Sequence, residues 1–267
     1  MELSPERRAA LLELARCARA QLEAELELGL TGLPVPLWTR SQSAPVVAAP
    51  TAATRAAPAP APALVPPLAA PAPVSDVDRH TRLRLLAEEA ATCTRCALHE
   101  KRKQTVFARG SEEAELVFVG EGPGRDEDLQ GYPFVGAAGQ LLDKMVAAMG
   151  YARDAVYICN VVKCRPPENR TPRPEEMLAC SRFLVPQLQA VAPKVIVALG
   201  RCAAQALGVA EAFGPWRGRW GQFQGVSVLP TYHPAFLLRS PEQKRVVWED
   251  LQLVMARLGK APPARRS

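Results

Sequence analysis

The segment ELVFVGEGPG, residues 115–124, joins an unbroken apolar run to a turn that contains three glycines. Three further short apolar runs, at 156–162, 195–199 and 226–229, resemble the first, and helical patterns separate them. Apolar strands that alternate with helices are typical of a parallel sheet covered on both faces. We therefore predict an α/β fold, a three-layer α/β/α domain around a central, mainly parallel four-stranded sheet.

Polar residues stand where these runs end. Glu121 follows the first run, Asn160 lies near the end of the second, and His233 follows the fourth. In parallel sheets, ligands bind outside the carboxyl ends of the strands. The sequence therefore predicts one pocket that is lined by a carboxylate, an amide and an imidazole.

The chain divides into three regions by composition. Residues 1–33 show an amphipathic helical pattern, and 34–75 contain eleven prolines and no acidic residue, which is typical of a disordered linker. Residues 76–267 carry the strand and helix patterns and form the predicted folded domain. The apolar stripe of the first helix either docks on that domain or binds a protein partner, and the pattern leaves both open.

Charge and hydropathy restrict the class of protein. The net charge of +6 suits a polyanion such as DNA, although this signal alone is weak. No apolar run is long enough to span a membrane, and no secretory signal pattern precedes the helix, so we expect a cytoplasmic protein. In that compartment the seven cysteines are better interpreted as metal ligands or core residues than as disulfides.

Four cysteines have a spacing that suits a metal site. Cys93 and Cys96 form a C-x2-C pair, and Cys164 and Cys180 complete a possible set of four thiolates for zinc or a [4Fe–4S] cluster. Spacing does not choose between these metals. The other two cysteines of the domain, at 159 and 202, fall in apolar patterns and are predicted to be core residues.

Longer motifs carry a specific resemblance. They are GEGPGRDED at 120–128, PFVG at 133–136, NVVKCRPP at 160–167 and HPAFLLR at 233–239. Together with the four cysteines, in this order, they resemble the signature of the family 4 uracil-DNA glycosylases, which are iron–sulfur enzymes. The resemblance runs from about Cys93 to the last helix and does not include residues 1–75.

This resemblance implies a function and a cofactor. It implies a [4Fe–4S] cluster on the four cysteines and hydrolysis of the bond between uracil and deoxyribose in DNA, which leaves an abasic site. No motif places a lysine as a Schiff-base nucleophile, so we expect a monofunctional glycosylase. We expect a monomer whose partner is uracil-containing DNA.

The resemblance also implies a set of site residues. The uracil-binding set is Glu121, Gly122, Pro123, Phe134, Asn160 and His233. The amide of Asn160 matches uracil N3–H and O4, Phe134 can stack on the flipped base, and His233 can donate to uracil O2 as negative charge grows there.

Two glutamates are candidates for the remaining catalytic work. Other branches of the superfamily place an aspartate at the position that Gly122 occupies here, so Glu121 and Glu127 remain. We favour Glu127 for holding water and stabilising the sugar, and Glu121 for shaping the pocket near uracil C5, although the resemblance does not fix either role.

DNA contacts are assigned by position around the pocket motifs. Leu237 is expected to enter the DNA stack as a wedge, and Arg165, Arg170 and Arg239 are expected to contact phosphates. A core leucine is nearly as good an interpretation of Leu237.

Two alternatives stay open beside this interpretation. One is a superfamily branch that becomes covalently trapped on the abasic site, which Gly122 and Thr231-Tyr232 disfavour because that branch carries other residues there. The second is a non-catalytic zinc- or cluster-bearing DNA-binding module of a repair or replication complex, which the intact set of polar pocket residues disfavours.

Overall fold

The computed structural model describes residues 76–210 and 216–261, and these belong to one compact unit. The helix and linker predicted for residues 1–75 lie outside the described residues. The helices are α1 (Asp76–Ala91), α2 (Arg125–Gln130), α3 (Ala137–Ala148), α4 (Pro174–Val191), α5 (Arg201–Ala206), α6 (Pro234–Arg239) and α7 (Lys244–Arg257). The strands are β1 (Ala108–Gly110), β2 (Leu116–Gly120), β3 (Tyr157–Asn160), β4 (Val195–Leu199), β5 (Gly221–Phe223) and β6 (Val226–Thr231). Short 3₁₀ turns lie at Ala97–Glu100, Arg153–Ala155, Pro167–Asn169 and Pro241–Gln243.

The sheet has the strand order β1-β3-β2-β4-β6-β5. Its four inner strands, β3, β2, β4 and β6, run parallel and correspond to the four predicted apolar runs. The mainly parallel α/β prediction is therefore confirmed. The edge strands β1 and β5 pair antiparallel with their neighbours and extend the predicted four-stranded sheet to six strands.

Side chains that alternate along the strands build two cores, one on each face. Val117, Val119 and Ile196 face one core, to which α1, α4 and α5 contribute. Phe118 and Val197 face the other, to which α3, α6 and α7 contribute. Because each inner strand is buried on both faces, its sequence is a continuous apolar run rather than an alternating one. The three-layer arrangement follows.

Strand β3 is shorter than the apolar run at 156–162 that predicted it. Pairing ends at Asn160, and the chain then crosses the end of β2, where the Val161 and Val162 N–H groups donate to the carbonyls of Gly120 and Glu121 at 2.9 and 3.2 Å. The prediction of a strand through 162 was therefore wrong at its end. This turn places Asn160 at the carboxyl edge of the sheet.

Of the helices that the structure describes, none combines the length and apolar character needed to cross a bilayer.

Candidate active site

A cavity of about 490 Å³ opens at the carboxyl edge of the parallel strands. It is lined by all six residues of the predicted uracil-binding set: Glu121, Gly122, Pro123, Phe134, Asn160 and His233. Glu127, Arg170 and Arg239 line it as well. The structure thus brings together residues that are up to 118 positions apart in the sequence, as the strand-end argument predicts.

Asn160 lies at the inner end of this cavity and is 2% exposed. In the described part of the chain, its Oδ1 atom is buried without a hydrogen-bond partner. Gly120 is its register partner on β2, and a Cβ atom there would collide with Asn160 Oδ1. Since a buried acceptor without a donor is costly, this oxygen is suited to receive an N–H group from a ligand.

Phe134 forms a second wall through an unusual backbone. Its φ angle is +56°, a conformation that bulky residues rarely adopt, and its side chain is 5% exposed. A Cβ atom at Gly139 on α3 would strike the Phe134 carbonyl, so the glycine permits this close approach. The Phe134 ring centroid lies 5.5 Å from that of His233, with 30° between the planes. The fold thus holds an aromatic ring beside the imidazole.

His233 has a fixed tautomer. It caps α6, and its Nδ1 accepts a hydrogen bond from the Ala235 N–H at 3.1 Å. In a neutral imidazole the proton must then be on Nε2, which becomes a donor. Burial, with a smaller contribution from the nearby Arg239 charge, lowers the pKa of His233 to about 4. The imidazole is therefore neutral at physiological pH.

The two glutamates of the site have different surroundings. Glu127 Oε1 accepts from the N–H groups of Val135 and Gly136 at 2.9 and 3.1 Å, and its Oε2 accepts from Gly124 at 3.1 Å. Its carboxylate therefore ties the glycine-rich turn to the loop that carries Phe134. Glu121 has a different contact. Burial raises its pKa, and a hydrogen bond from the Thr171 side chain partly offsets this.

The four cysteines meet at a second pocket. Cys93 follows α1, Cys96 precedes a 3₁₀ turn, Cys164 follows β3, and Cys180 lies in α4. All four line one pocket, although within residues 76–210 and 216–261 no three His, Cys, Asp or Glu side chains form a site for a single metal ion. The other two cysteines of the domain, at 159 and 202, are buried in the core, as predicted.

Hydrogen-bond donors already point at two of these sulfur atoms. Arg102 Nη1 donates to Cys164 Sγ at 3.2 Å, and the Lys163 N–H donates to Cys180 Sγ at 3.3 Å. Burial raises the pKa of Cys180 to about 12, whereas a bound metal favours the thiolate. Four thiols, two of which accept such hydrogen bonds, are a suitable ligand set for a thiolate-bound metal group.

The predicted DNA contacts have different positions. Arg239 is exposed at the cavity rim, and Arg165 lies in the loop after β3. Arg170 pairs with the buried carboxylate of Glu176 through two bonds of 2.6 and 2.7 Å, so part of its guanidinium is used within the protein.

Leu237 requires a correction. The side chain is 1% exposed and packs in the core between the sheet and α7, so it cannot enter a DNA stack without leaving that core. Its neighbour Leu238 is 45% exposed on the same short helix. One step along a helix turns a side chain by about 100°, and the position assignment from sequence missed this difference.

Some contributors could not be recognised from sequence as parts of the site. Thr171 reaches Glu121 from the loop before α4, and Gly139 accommodates the Phe134 backbone. Lys163 donates from its Nζ to the Asn160 carbonyl at 2.8 Å. The one available signal was the lysine itself, which interrupts an otherwise apolar segment.

Comparisons with known proteins agree with this geometry. A model of the uracil DNA glycosylase superfamily matches residues 107–252. The chain is 44% identical over 185 residues to a type-4 uracil-DNA glycosylase of Thermotoga maritima, across 65% of this chain and 93% of the relative. It is also 44% identical over 189 residues to that of Archaeoglobus fulgidus, across 67% of this chain and 94% of the relative. A type-5 uracil-DNA glycosylase of Thermus thermophilus is 31% identical over 145 residues, across 46% of this chain and 66% of the relative.

Proposed function

Because this chain belongs to the uracil-DNA glycosylase superfamily, and within it to the type-4 enzymes, we propose that it excises uracil from DNA. The reaction is hydrolysis of the bond between uracil N1 and deoxyribose C1′. It leaves an abasic site, the first intermediate of base excision repair. The unpartnered, buried Oδ1 of Asn160 is the observation that carries this proposal.

Recognition begins with that amide. Asn160 Oδ1 accepts the uracil N3–H, and its Nδ2 donates to O4. Cytosine presents an acceptor at N3 and a donor at N4, the reverse pattern, so it would leave both partners unsatisfied. The mismatch rejects the normal base.

Leaving-group stabilisation falls to His233. As the glycosidic bond breaks, negative charge grows on the uracil ring and its O2 atom. The neutral imidazole donates from Nε2, and because Nδ1 is already held by Ala235, the donor needs no reorientation during the reaction.

Two further residues fix the base. Phe134 stacks on the flipped ring, which offsets part of the cost of removing it from the duplex. Glu121 is assigned to the pocket wall near uracil C5, where it would refuse a thymine methyl group; it lines the cavity together with Thr171, whose side chain donates a hydrogen bond to it. Uracil is thereby distinguished from thymine by volume.

Water activation is assigned to Glu127. Its carboxylate lines the cavity, and the backbone N–H groups use both lone pairs of Oε1 but only one of Oε2, so Oε2 keeps one acceptor site for water. It can therefore hold the attacking water and stabilise the positive charge that develops on the sugar.

The four cysteines are proposed to hold a [4Fe–4S] cluster. When bound, the cluster supplies iron–thiolate bonds that join α1, the segment after β3, and α4. The donors at Cys164 and Cys180 suit thiolates bound to such a cluster. Its position behind the loops of the pocket favours a structural role.

The remaining proposals concern the whole chain. Residues 76–267 form the glycosylase domain, 34–75 a linker, and 1–33 a helix that either docks on the domain or binds a protein partner. We propose a cytoplasmic monomer that acts on uracil-containing DNA through Arg165, Arg170 and Arg239.

A glycosylase assay with a colour measurement tests the function. The protein is incubated with an oligonucleotide that contains one uracil and then treated with alkali. Strand cleavage is expected at uracil, only after alkali, and not at cytosine or thymine. Absorbance at roughly 400 nm in the same sample distinguishes an iron–sulfur cluster from zinc.

Asn160→Ala provides the matched variant. Loss of the paired base contact, worth about 1–3 kcal/mol, should lower kcat/KM about 5- to 150-fold while the fold is retained. If the wild-type protein bound the oligonucleotide but released no uracil, the chain would instead be a non-catalytic DNA-binding module.

A further inference from the structure

Lys163 is buried between the two pockets of the domain. The residue is 1% exposed, and its ammonium donates to the main-chain carbonyl of Asn160 at 2.8 Å and to Gln187 Oε1 at 2.6 Å. It precedes Cys164 directly and lines the cysteine pocket. One side chain therefore contacts the segment that reads the base and lies beside the proposed metal ligands.

The direct partners of this ammonium are all neutral. Besides the two oxygens, it lies over the Phe107 ring, 5.5 Å from the centroid. Gln187 is held in turn, because its Nε2 donates to the Tyr157 hydroxyl at 2.8 Å. Nowhere in the described ranges does a carboxylate form an ion pair with Lys163. A buried positive charge without a counter-charge is strongly unfavourable.

The cysteine site supplies the missing negative charge. The Lys163 main-chain N–H donates to Cys180 Sγ, which places the residue against this pocket. Four thiolates around a bound cluster would give the loaded site a net negative charge in the pocket that Lys163 lines. The same residue thus lines the pocket that would carry the counter-charge and holds the Asn160 carbonyl.

We propose that Lys163 is a positioning residue that couples occupancy of the four-cysteine site to the orientation of Asn160. The inference rests on the proposed function, because it concerns the residue that recognises uracil. With the cluster in place, the ammonium stays buried and holds the Asn160 carbonyl. When the cluster is lost, the ammonium has no counter-charge. Water then enters the site or the side chain moves out of it, and the hydrogen bond to the Asn160 carbonyl weakens.

The coupling must act in both directions. If the cluster strengthens uracil binding, uracil binding must strengthen retention of the cluster by the same factor at equilibrium, and we expect slower iron loss from the bound protein as the kinetic counterpart. This reciprocity gives a readout that does not depend on turnover. Iron loss to a chelator can be followed as bleaching of the visible absorbance, with and without a bound DNA ligand.

The probe is an oligonucleotide with one non-hydrolysable 2′-fluorinated deoxyuridine, compared with the same strand carrying thymidine. In the wild-type holoenzyme, the uracil analogue is expected to slow iron loss about fivefold or more relative to thymidine. We define the protection ratio as the rate of iron loss with the thymidine strand divided by the rate with the uracil analogue. Lys163→Met keeps the length and apolar stem but removes the charge and the donor, so its protection ratio should fall to about one. Lys194→Met, at a residue whose side chain is 73% exposed, is the control and should keep the wild-type ratio.

A second variant, Gln187→Glu, keeps the ammonium and adds a negative charge beside it. It places a carboxylate at the position that now lies 2.6 Å from Lys163 Nζ, so the ammonium no longer depends on the cluster for its counter-charge. After iron removal, the wild type should bind the uracil analogue about fivefold or more weakly, whereas Gln187→Glu should change less than about twofold. Lys163→Met should bind weakly both with and without iron.

The outcomes separate the two proposals. A wild-type protection ratio of one, an unchanged ratio in Lys163→Met, or an equal loss of affinity in Gln187→Glu and wild type would each overturn the coupling. If Lys163→Met does not fold, the affinity of Gln187→Glu for the uracil analogue after iron removal still tests the coupling. Failure of the wild type to release uracil in the glycosylase assay, by contrast, would overturn the proposed function itself.

Discussion

His233 shows how one backbone hydrogen bond determines the chemistry of a side chain. A histidine that begins a helix can accept an N–H bond at Nδ1, and Ala235 makes this bond here. The same burial that lowers the pKa of His233 to about 4 keeps the ring neutral, so Nε2 carries the only ring proton. A donor with fixed direction results, suited to an oxygen that gains charge.

The first prediction concerns the pH profile. Because the folded pKa is depressed, His233 stays neutral as pH falls through 6.5 and becomes protonated only near pH 4. We expect kcat/KM for uracil release to show no inflection near 6.5 and to fall only as pH approaches 4. Stability should likewise be fully present above the unfolded pKa and decline as pH falls toward 4, which thermal melting measures.

His233→Gln supplies the comparison. Its side-chain amide can donate to uracil O2 but does not titrate, so its lower activity should lack the acid-dependent step assigned to His233. An inflection near pH 6.5 in the wild type that disappears in this variant would show that His233 titrates near its ordinary pKa, and would contradict a neutral imidazole held by burial.

Glu127 has two tasks, and the second prediction separates them. Glu127→Ala would remove three backbone hydrogen bonds and release the Phe134 loop, so both turnover and affinity should fall. Glu127→Gln keeps one acceptor oxygen for the Val135 and Gly136 N–H groups but loses the carboxylate charge and the acceptor for the Gly124 N–H. We expect kcat to fall about 100-fold or more, while affinity for the uracil analogue changes less than about threefold.

Single-turnover kinetics and direct binding measure the two quantities. If Glu127→Gln lost turnover and affinity equally, the carboxylate would be a brace for the loop and would have no separate part in the chemistry.

Sequence identified the polar residues of this site better than their supports. Asn160 and His233 were recognisable because they stand at strand ends inside distinctive motifs. Glu127 was recognisable as a candidate, but its bonds to Val135 and Gly136 depend on a loop closure that no local pattern encodes. Leu237 was assigned to DNA by its position in the motif, and a six-residue helix has too few positions for periodicity to show that this side chain is buried.

At the level of elements, the inner strands were predictable and the edge strands were not. A strand buried on both faces requires a continuous apolar run, and β2 and β4 have one. The edge strands β1 and β5 have the sequences ARG and GQF, three residues each, with neither an apolar run nor alternation. Their pairing is determined by tertiary contacts with β3 and β6.

The third prediction tests how helix α3 positions Phe134. A Cβ atom at Gly139 would collide with the carbonyl oxygen and the carbonyl carbon of Phe134, both backbone atoms that cannot rotate away. Gly139→Ala should therefore displace the loop and weaken binding of the uracil analogue about tenfold, of the order of 1.4 kcal/mol.

Gln140→Ala is the control at the next position of the same helix. Its side chain is exposed, and alanine favours a helix, so affinity and melting temperature should not fall. Unchanged affinity in Gly139→Ala would show that the +56° backbone of Phe134 is not required for stacking on the base.

At the level of the whole molecule, the positive charge of the chain and the position of the cavity together indicate which edge of the sheet faces DNA. The chain has a net charge of +6; Arg165 lies in the loop after β3 and Arg239 at the end of α6, both on the carboxyl side of the sheet, and Arg239 lines the cavity. Arg153 lies at the opposite edge, directly before β3. DNA that presents uracil to the cavity should therefore contact the first two arginines but not the third.

The last prediction uses salt dependence to map this contact. Each phosphate contact contributes about 0.9 to the slope of log K against log salt for duplex DNA, because binding releases condensed counterions. The double variant Arg165→Gln/Arg239→Gln should lower the slope by up to about 1.8 and weaken binding of uracil-free DNA of any sequence. Arg153→Gln removes one positive charge from the far edge and should leave the slope unchanged, whereas each rim arginine alone should lower it by up to about 0.9, as measured by fluorescence anisotropy over a salt series. Equal effects of the two edges would show that DNA is attracted by net charge alone and does not run along the cavity rim.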